Sequence, residues 1–260
     1  MKYCERIKLE EEPKGVGSVH LVRYQFARQF CTNKIVLDSA CGTGYGSTLL
    51  HDVARHVIGI DIDPESISYA EEHYPFPNIQ FMVMNSEELA FSSNSFDVVC
   101  SFETVEHVSD ADGFLNELVR VLRPDGICLI SAPNPHWTTL TPKNPHHVQE
   151  WNRSDFDRYL KRFFGHVDIM SLNRRQSILH KWIQILDPFQ LRGLLSAQLR
   201  SKMSRQIGTT AFHEMEVKKD LFIGPYAKEG LSIMAVCCHP KKGSIPSIIA
   251  EDMRLGKPKQ

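Results

Sequence analysis

From Lys34 to Pro133, short apolar runs alternate with stretches of helical period. The runs Ile35–Asp38, Val57–Asp61, Ile79–Val83, Phe96–Ser101 and Ile127–Ile130 are almost wholly apolar. That is how strands read when helices cover both faces of a parallel sheet. Between the last two, Phe114, Leu115, Leu118, Val119 and Leu122 recur at helical spacing, and Pro124-Asp125-Gly126 stops the helix. The alternation predicts an α/β fold with a doubly wound, mostly parallel sheet.

The flanks add further elements. Val19 to Phe30 reads as a helix carrying His20, Arg23 and Tyr24, able to lie across a cleft at the sheet's end. After Pro133 comes a loop rich in Pro, His and Asn, from Asn134 to Glu150. A short helix opens at Ser154, with Asp157 three residues on as a capping-box variant, and Gly165 is expected to end it. A strand over His166–Leu172 follows, then a basic stretch from Arg174 to Gln206, broken at Pro188. There Trp182, Ile185, Leu186, Leu191, Leu194, Leu195 and Leu199 would line one face of a helix pair. The last strand is expected over Leu231–Cys237. The whole reads as a single domain over 1–240 with a helical insertion at 172–220 before the last strand, and 241–260 as a loosely ordered tail.

Composition narrows the partners. The 260 residues carry a formal net charge of -1, which argues against a surface built to hold nucleic acid or anionic membrane. Charge is uneven: Lys and Arg number 15 against 24 Asp and Glu in 1–171, but 9 against 3 in 172–219. The start, Met1 to Arg6, is charged, and no apolar run approaches the roughly 20 residues of a membrane span, so a cytoplasmic protein is expected. The 7 cysteines include no C-x-x-C pair and read as buried thiols.

Chemistry concentrates in Val36-Leu37-Asp38-Ser39-Ala40-Cys41-Gly42-Thr43-Gly44-Tyr45-Gly46, a strand entering a Gly-rich turn and then a helix. Glycines there let a ligand approach the backbone and permit left-handed torsions. Asp38 suits an ammonium-bearing ligand and opposes a pyrophosphate, which wants bare amides and positive potential. Asp61, closing the second strand before Ile62-Asp63-Pro64, can accept both hydroxyls of a ribose; capping the next helix is the plainer role, for which Asp63 is the better candidate. Asn85 and Ser86 fall where an adenine edge would then lie.

These segments, with Ser95–Val108 and Leu122–Gly126, resemble class I S-adenosylmethionine-dependent methyltransferases across residues 18–172. The resemblance implies a Rossmann-like, seven-stranded sheet with an antiparallel last strand. It places Asp38, Gly42 and Gly44 around the methionine part of S-adenosyl-L-methionine, Asp61 on the ribose, Asn85 and Ser86 at the adenine, and Phe102 and Glu103 on the pocket floor, with Ala40 and Ile62 also among the cofactor-binding residues. Asn85 departs from the commoner Asp. His20–Ala27 and Asn144–Trp151 are similar to methyltransferases of bacterial surface-polysaccharide and sugar modification, which implies a saccharide or small-molecule acceptor, O-methylation, and Arg23 and Tyr24 near the cofactor carboxylate.

Displacement at a sulfonium mainly requires alignment and exclusion of water, but a hydroxyl acceptor needs a base. His107, past the fourth strand, and His147, in the following loop, are the candidates, each with a purely structural role as its alternative. His136, His146 and His147 with Glu150 lack a diagnostic ligand spacing, and no metal is expected. N- or C-methylation of a small molecule and nicotinamide-dependent oxidoreduction on the same type of sheet stand as alternatives, as does a non-catalytic relict.

Overall fold

The structure, a computed structural model, describes residues 14–175 and 220–242. Its elements run α1 (Lys14–Cys31), β1 (Ile35–Ser39), α2 (Tyr45–Leu50), β2 (His56–Asp61), α3 (Pro64–His73), β3 (Ile79–Val83), β4 (Phe96–Phe102), α4 (Ala111–Val121), β5 (Leu122–Pro133), α5 (Arg153–Leu160), β6 (Phe164–Arg174), β7 (Leu221–Pro225) and β8 (Ser232–Pro240).

All eight strands join one sheet in the order β3-β2-β1-β4-β5-β8-β6-β7. Strands β1 to β5 are parallel to their neighbours, whereas β8 runs antiparallel to both β5 and β6. Beyond the expected strands, β7 adds to the outer edge of β6 in antiparallel register. Only five residues long and ending in Gly224-Pro225, it carried no readable alternation.

Burial explains the unbroken apolar strands. Val36, Val57, Val98, Cys100 and Leu129 pack on one face with Tyr24, Ala27 and Cys31 of α1 and Leu50 of α2. Their chain neighbours Leu37, Val99, Cys128 and Ile130 pack on the other, with Phe114, Leu115 and Leu118 of α4 and Phe156 and Leu160 of α5. Successive residues of one strand thus enter two separate cores.

Several boundaries differ from the sequence reading. Helix α1 starts at Lys14, and β5 extends back through Pro124-Asp125-Gly126, with its pairing to β4 shifting register between Phe96 and Val98. The cap of α5 is Asn152, whose side chain accepts from the amides of Ser154 (2.9 Å) and Asp155 (3.2 Å). Ser154 therefore sits inside the first turn. Gly165 belongs to β6 and does not end α5, which stops at Leu160. Because β6 continues to Arg174, the head of the expected insertion is strand; the helix pair assigned to it lies outside the described residues, as does the tail beyond Lys242. Lys241 is docked, its amide donating to the Phe163 carbonyl at 2.8 Å. Among the described residues no helix is long and apolar enough to cross a membrane.

Candidate active site

The chain leaves β1 toward β2 and β3, then returns to lay β4 on the other side of β1. Open α/β sheets bind ligands in the crevice left where the winding reverses. Here a cleft of about 780 Å³ opens there, walled by residues that follow β1, β2, β3 and β4 and by α1. Two residues at its edge, Ala40 after β1 (φ 62°) and Glu103 after β4 (φ 52°), adopt left-handed torsions that cost a non-glycine residue energy, the kind of strain that clusters at functional sites. Both line the cleft, as do Arg23, Tyr24, Gly42, Asp61, Ile62, Asn85, Ser86, Phe102, His107 and His147.

Asp38 and Gly44 do not. The Asp38 carboxylate is wholly buried, accepting from Ser47 Oγ at 2.6 Å and from the Tyr24 hydroxyl at 3.1 Å. Burial pushes its pKa up to about 6, with the Ser47 and Tyr24 bonds pulling it down and Asp61 raising it. It stands behind the cleft wall, so its charge reaches a ligand only through Tyr24 and the glycine turn. The three glycines do different things. A Cβ on Gly42 (φ 56°) would meet nothing within 4 Å, which marks bare backbone facing the cleft. One on Gly44 (φ 80°) would collide with Ala70 at 2.7 Å and Phe81 at 2.8 Å. One on Gly46 would sit 2.0 Å from the Tyr24 ring. Gly44 therefore serves close packing of the turn on α3 and β3, and Gly46 the close approach of α1.

Asp61 organises the turn as well as facing the cleft. Its Oδ2 accepts from the Gly42 amide (2.9 Å) and its Oδ1 from the Asp63 amide (3.0 Å). The cap of α3 is Asp63, which accepts from the Ser66 amide at 2.9 Å. Nearby, Ser39 Oγ donates to Ser86 Oγ (2.9 Å), and Asn85 Oδ1 accepts from the Glu87 amide (3.0 Å), which leaves the Asn85 NH₂ to donate elsewhere. Across the cleft, the buried Arg23 guanidinium reaches Glu103 Oε1 (3.1 Å) and Ser232 Oγ (3.2 Å) through Nη2. Its Nε is buried and has no acceptor among the described residues. His20, also in the wall, is held neutral, its pKa lowered to about 3 first by burial and then by Arg23.

The histidines meet because the loop after β5 folds back. Thr139 and Glu150 exchange backbone hydrogen bonds, and the Val148 amide donates to the Glu106 carbonyl at 2.7 Å. The His107 and His147 rings consequently lie edge to face, 4.7 Å apart. His107 Nδ1 is 3.0 Å from the His146 carbonyl, which can only accept, so Nδ1 is the donor of this bond. His147 Nδ1 is 2.6 Å from Glu150 Oε1, while its Nε2 is 2.9 Å from Asn144 Nδ2. Asn144 Oδ1 accepts from the His146 amide, which fixes which end of the Asn144 amide faces the ring.

Glu106, almost wholly buried, joins the two histidines, and ligand atoms of the three lie within 4.8 Å of one another. Sequence reasoning carried Glu106 within the Ser95–Val108 segment without giving it a role, and did not place His146 or Tyr45 in the cleft wall. The adjacency Glu106-His107 was the available signal; its partner is 40 residues away on a loop whose docking no local pattern encodes. The set weighed earlier, His136 and His146 with His147 and Glu150, is not the one that converges.

Known proteins resemble the chain in sequence and in fold. The methyltransferase domain family matches residues 37–130. A probable S-adenosylmethionine-dependent methyltransferase of Mycolicibacterium smegmatis is 39% identical over 145 residues, 55% of this chain and 56% of that protein. A ubiquinone biosynthesis O-methyltransferase of Sinorhizobium fredii is 32% identical over 101 residues, 38% and 41% of the two chains. The chain thus spans about half the length of the curated relatives it matches. Among solved structures, the YcgJ protein of Bacillus subtilis superposes with a TM-score of 0.52 at 17% identity, covering 85% of this chain and 98% of that one, a likeness of fold. Residues 37–130 thus match the methyltransferase domain family, the relatives are named as S-adenosylmethionine-dependent methyltransferases, and the fold is Rossmann-like.

Proposed function

We propose that the cleft holds S-adenosyl-L-methionine and that the protein O-methylates a small metabolite, sugar or glycan. One observation carries the cofactor reading: the cleft pairs bare backbone at Gly42 and the Asp61 carboxylate with a buried arginine whose Nε has no acceptor among the described residues. A ribose diol suits Asp61 and a carboxylate suits Arg23, and both are needed by a ligand that is nucleoside at one end and amino acid at the other. A dinucleotide pyrophosphate would instead meet Asp61, Glu87 and Glu103 in the same wall.

When bound, such a cofactor supplies a methyl group on sulfur: the C–S bond breaks with its electron pair going to sulfur as an acceptor oxygen forms the new bond and loses its proton. The protein's part is alignment and exclusion of water. Phe102 and Val108 give the wall apolar surface, while Arg23, Asp61, Asn85 and Ser86 fix the cofactor's ends. His107 and His147 stand at the acceptor end, His147 within the Asn144–Trp151 segment whose sequence resembles the sugar-modifying enzymes. The S. fredii relative, named as an O-methyltransferase, supports oxygen as the accepting atom.

The test is calorimetry of S-adenosylhomocysteine against NAD, followed by mass spectrometry of hydroxylated sugars and phenols incubated with methyl-labelled cofactor. Binding of S-adenosylhomocysteine with label gained on oxygen is expected. Preference for NAD would overturn the cofactor reading, and label on nitrogen or carbon alone would overturn O-methylation.

A further inference from the structure

We propose that Glu106, His107 and His147 form a binding site for a divalent transition-metal ion at the acceptor end of the cleft. Their ligand atoms lie within 4.8 Å of one another, and all three residues line the same cavity. Bonds of about 2.0–2.2 Å from imidazole nitrogen and carboxylate oxygen would require each side chain to move inward by only about an ångström. Two nitrogens and one oxygen suit zinc, cobalt or manganese better than magnesium or calcium, which favour all-oxygen sets. Three protein ligands leave at least one position open toward the cleft, as catalytic metal sites do.

The surroundings of the two rings are a second, independent observation. Metal-binding histidines usually give their other N–H to a carboxylate or a backbone carbonyl, which fixes the ring and raises the basicity of the ligating nitrogen. Both occur here. His147 Nδ1 meets Glu150 Oε1 at 2.6 Å, and His107 Nδ1 meets the His146 carbonyl at 3.0 Å. Each ring therefore turns Nε2 toward coordination. The Asn144 amide, 2.9 Å from His147 Nε2, has to swing away as the ion enters.

The ion's role in catalysis rests on the methyl-transfer reading, but its binding does not. With Nε2 of both histidines on the metal, neither ring can act as the base. An acceptor hydroxyl entering the open position would lose its proton to water under the ion's influence, and the resulting oxyanion would use its lone pair to form the bond to methyl. His107 and His147 then act as ligands, which revises the expectation that one of them takes the proton.

Cobalt titration of the chelator-stripped full chain tests the site, read by visible absorption between about 500 and 650 nm, which reports coordination, and by calorimetry. One Co²⁺ per chain is expected. His107→Ala and His147→Ala should each weaken binding more than about tenfold, and Glu150→Gln by about 10- to 100-fold. His73→Ala, at the last residue of α3, stacked on Tyr69 and outside the cleft lining, should leave it unchanged. S-adenosylhomocysteine affinity, measured in the same variants, should hold within about twofold, which separates loss of the metal site from loss of the fold. Absence of cobalt binding, or cobalt binding unchanged in both histidine variants, overturns the proposal. If the wild type binds cobalt but not S-adenosylhomocysteine, the metal site stands and the methyltransferase reading fails.

Discussion

The Tyr24 hydroxyl donates to Asp38 Oδ1 at 3.1 Å, fastening α1 to the last turn of β1. Both groups are buried, so the bond is screened little by water, and Tyr24 also closes edge to face on Phe102 at 4.9 Å. Tyr24→Phe keeps the ring contacts and leaves the carboxylate with Ser47 as its remaining side-chain donor. The expected loss is about 1–3 kcal/mol of stability, read from urea unfolding. An unchanged midpoint would mean that the hydroxyl adds nothing to the α1 contact.

Asp38 also makes stability depend on pH. Its ordinary value of 3.8 rises to about 6 in the folded protein, chiefly through burial. Above pH 6 it is ionised folded or unfolded; below 3.8 it is protonated in both. Between the two the folded state holds the extra proton, so stability falls as pH rises from about 4 to about 6, by up to about 3 kcal/mol. Unfolding of the wild type relative to Asp38→Asn, compared at pH 4.5 and pH 7, should show this slope. A pH-independent difference would contradict it.

The glycines separate fold from ligand. Gly44→Ala places a methyl 2.7 Å from Ala70 in a left-handed backbone and should destabilise by about 2–5 kcal/mol. Gly42→Ala meets no protein atom within 4 Å. Its stability cost should stay near the torsional ~1–2 kcal/mol, while S-adenosylhomocysteine affinity drops at least about tenfold. Thermal unfolding and calorimetry of both variants decide the matter, and equal effects on both properties would refute the division.

Asp61→Ala removes an acceptor from the amides of Gly42 and Asp63 and from the cleft together. Cofactor affinity is expected to fall by about 1–3 kcal/mol. Asp61→Asn should also lose affinity, because its NH₂ faces one of the two amide donors. Calorimetry showing wild-type affinity in folded Asp61→Ala would remove the residue from the site.

What could be read from the chain depended on how local the cause was. Strands β1 to β5 announce themselves because burial on both faces demands unbroken apolar runs, and Asp63 announces its cap through the adjacent Pro64. Gly42 and Asp61 were each legible, one in the turn after β1 and the other at the end of β2, but the bond between them was not. The burial of Asp38 was not, since it depends on Tyr24 arriving from α1 over Gly46. The cluster at Glu106 was equally hidden, because it forms only when the Val148 amide finds the Glu106 carbonyl. Asn152 displaced Ser154 as a cap because its side chain reaches two amides at once.

Strand β8 has a consequence for how the molecule is made. It follows every other described strand in chain order, yet it lies between β5 and β6 in the sheet. On a ribosome, β1 to β5 and every cleft residue named above emerge first, and the outer edge of β5 then waits roughly a hundred residues for its neighbour. Until then β6 has no strand through which to join the sheet, and the edge of β5, with Leu129 and Ile130, stands open to whatever passes. Closing that gap is a long-range event of the kind that slows folding, and the half of the protein that carries most of the cleft is laid down before the half that seals the sheet.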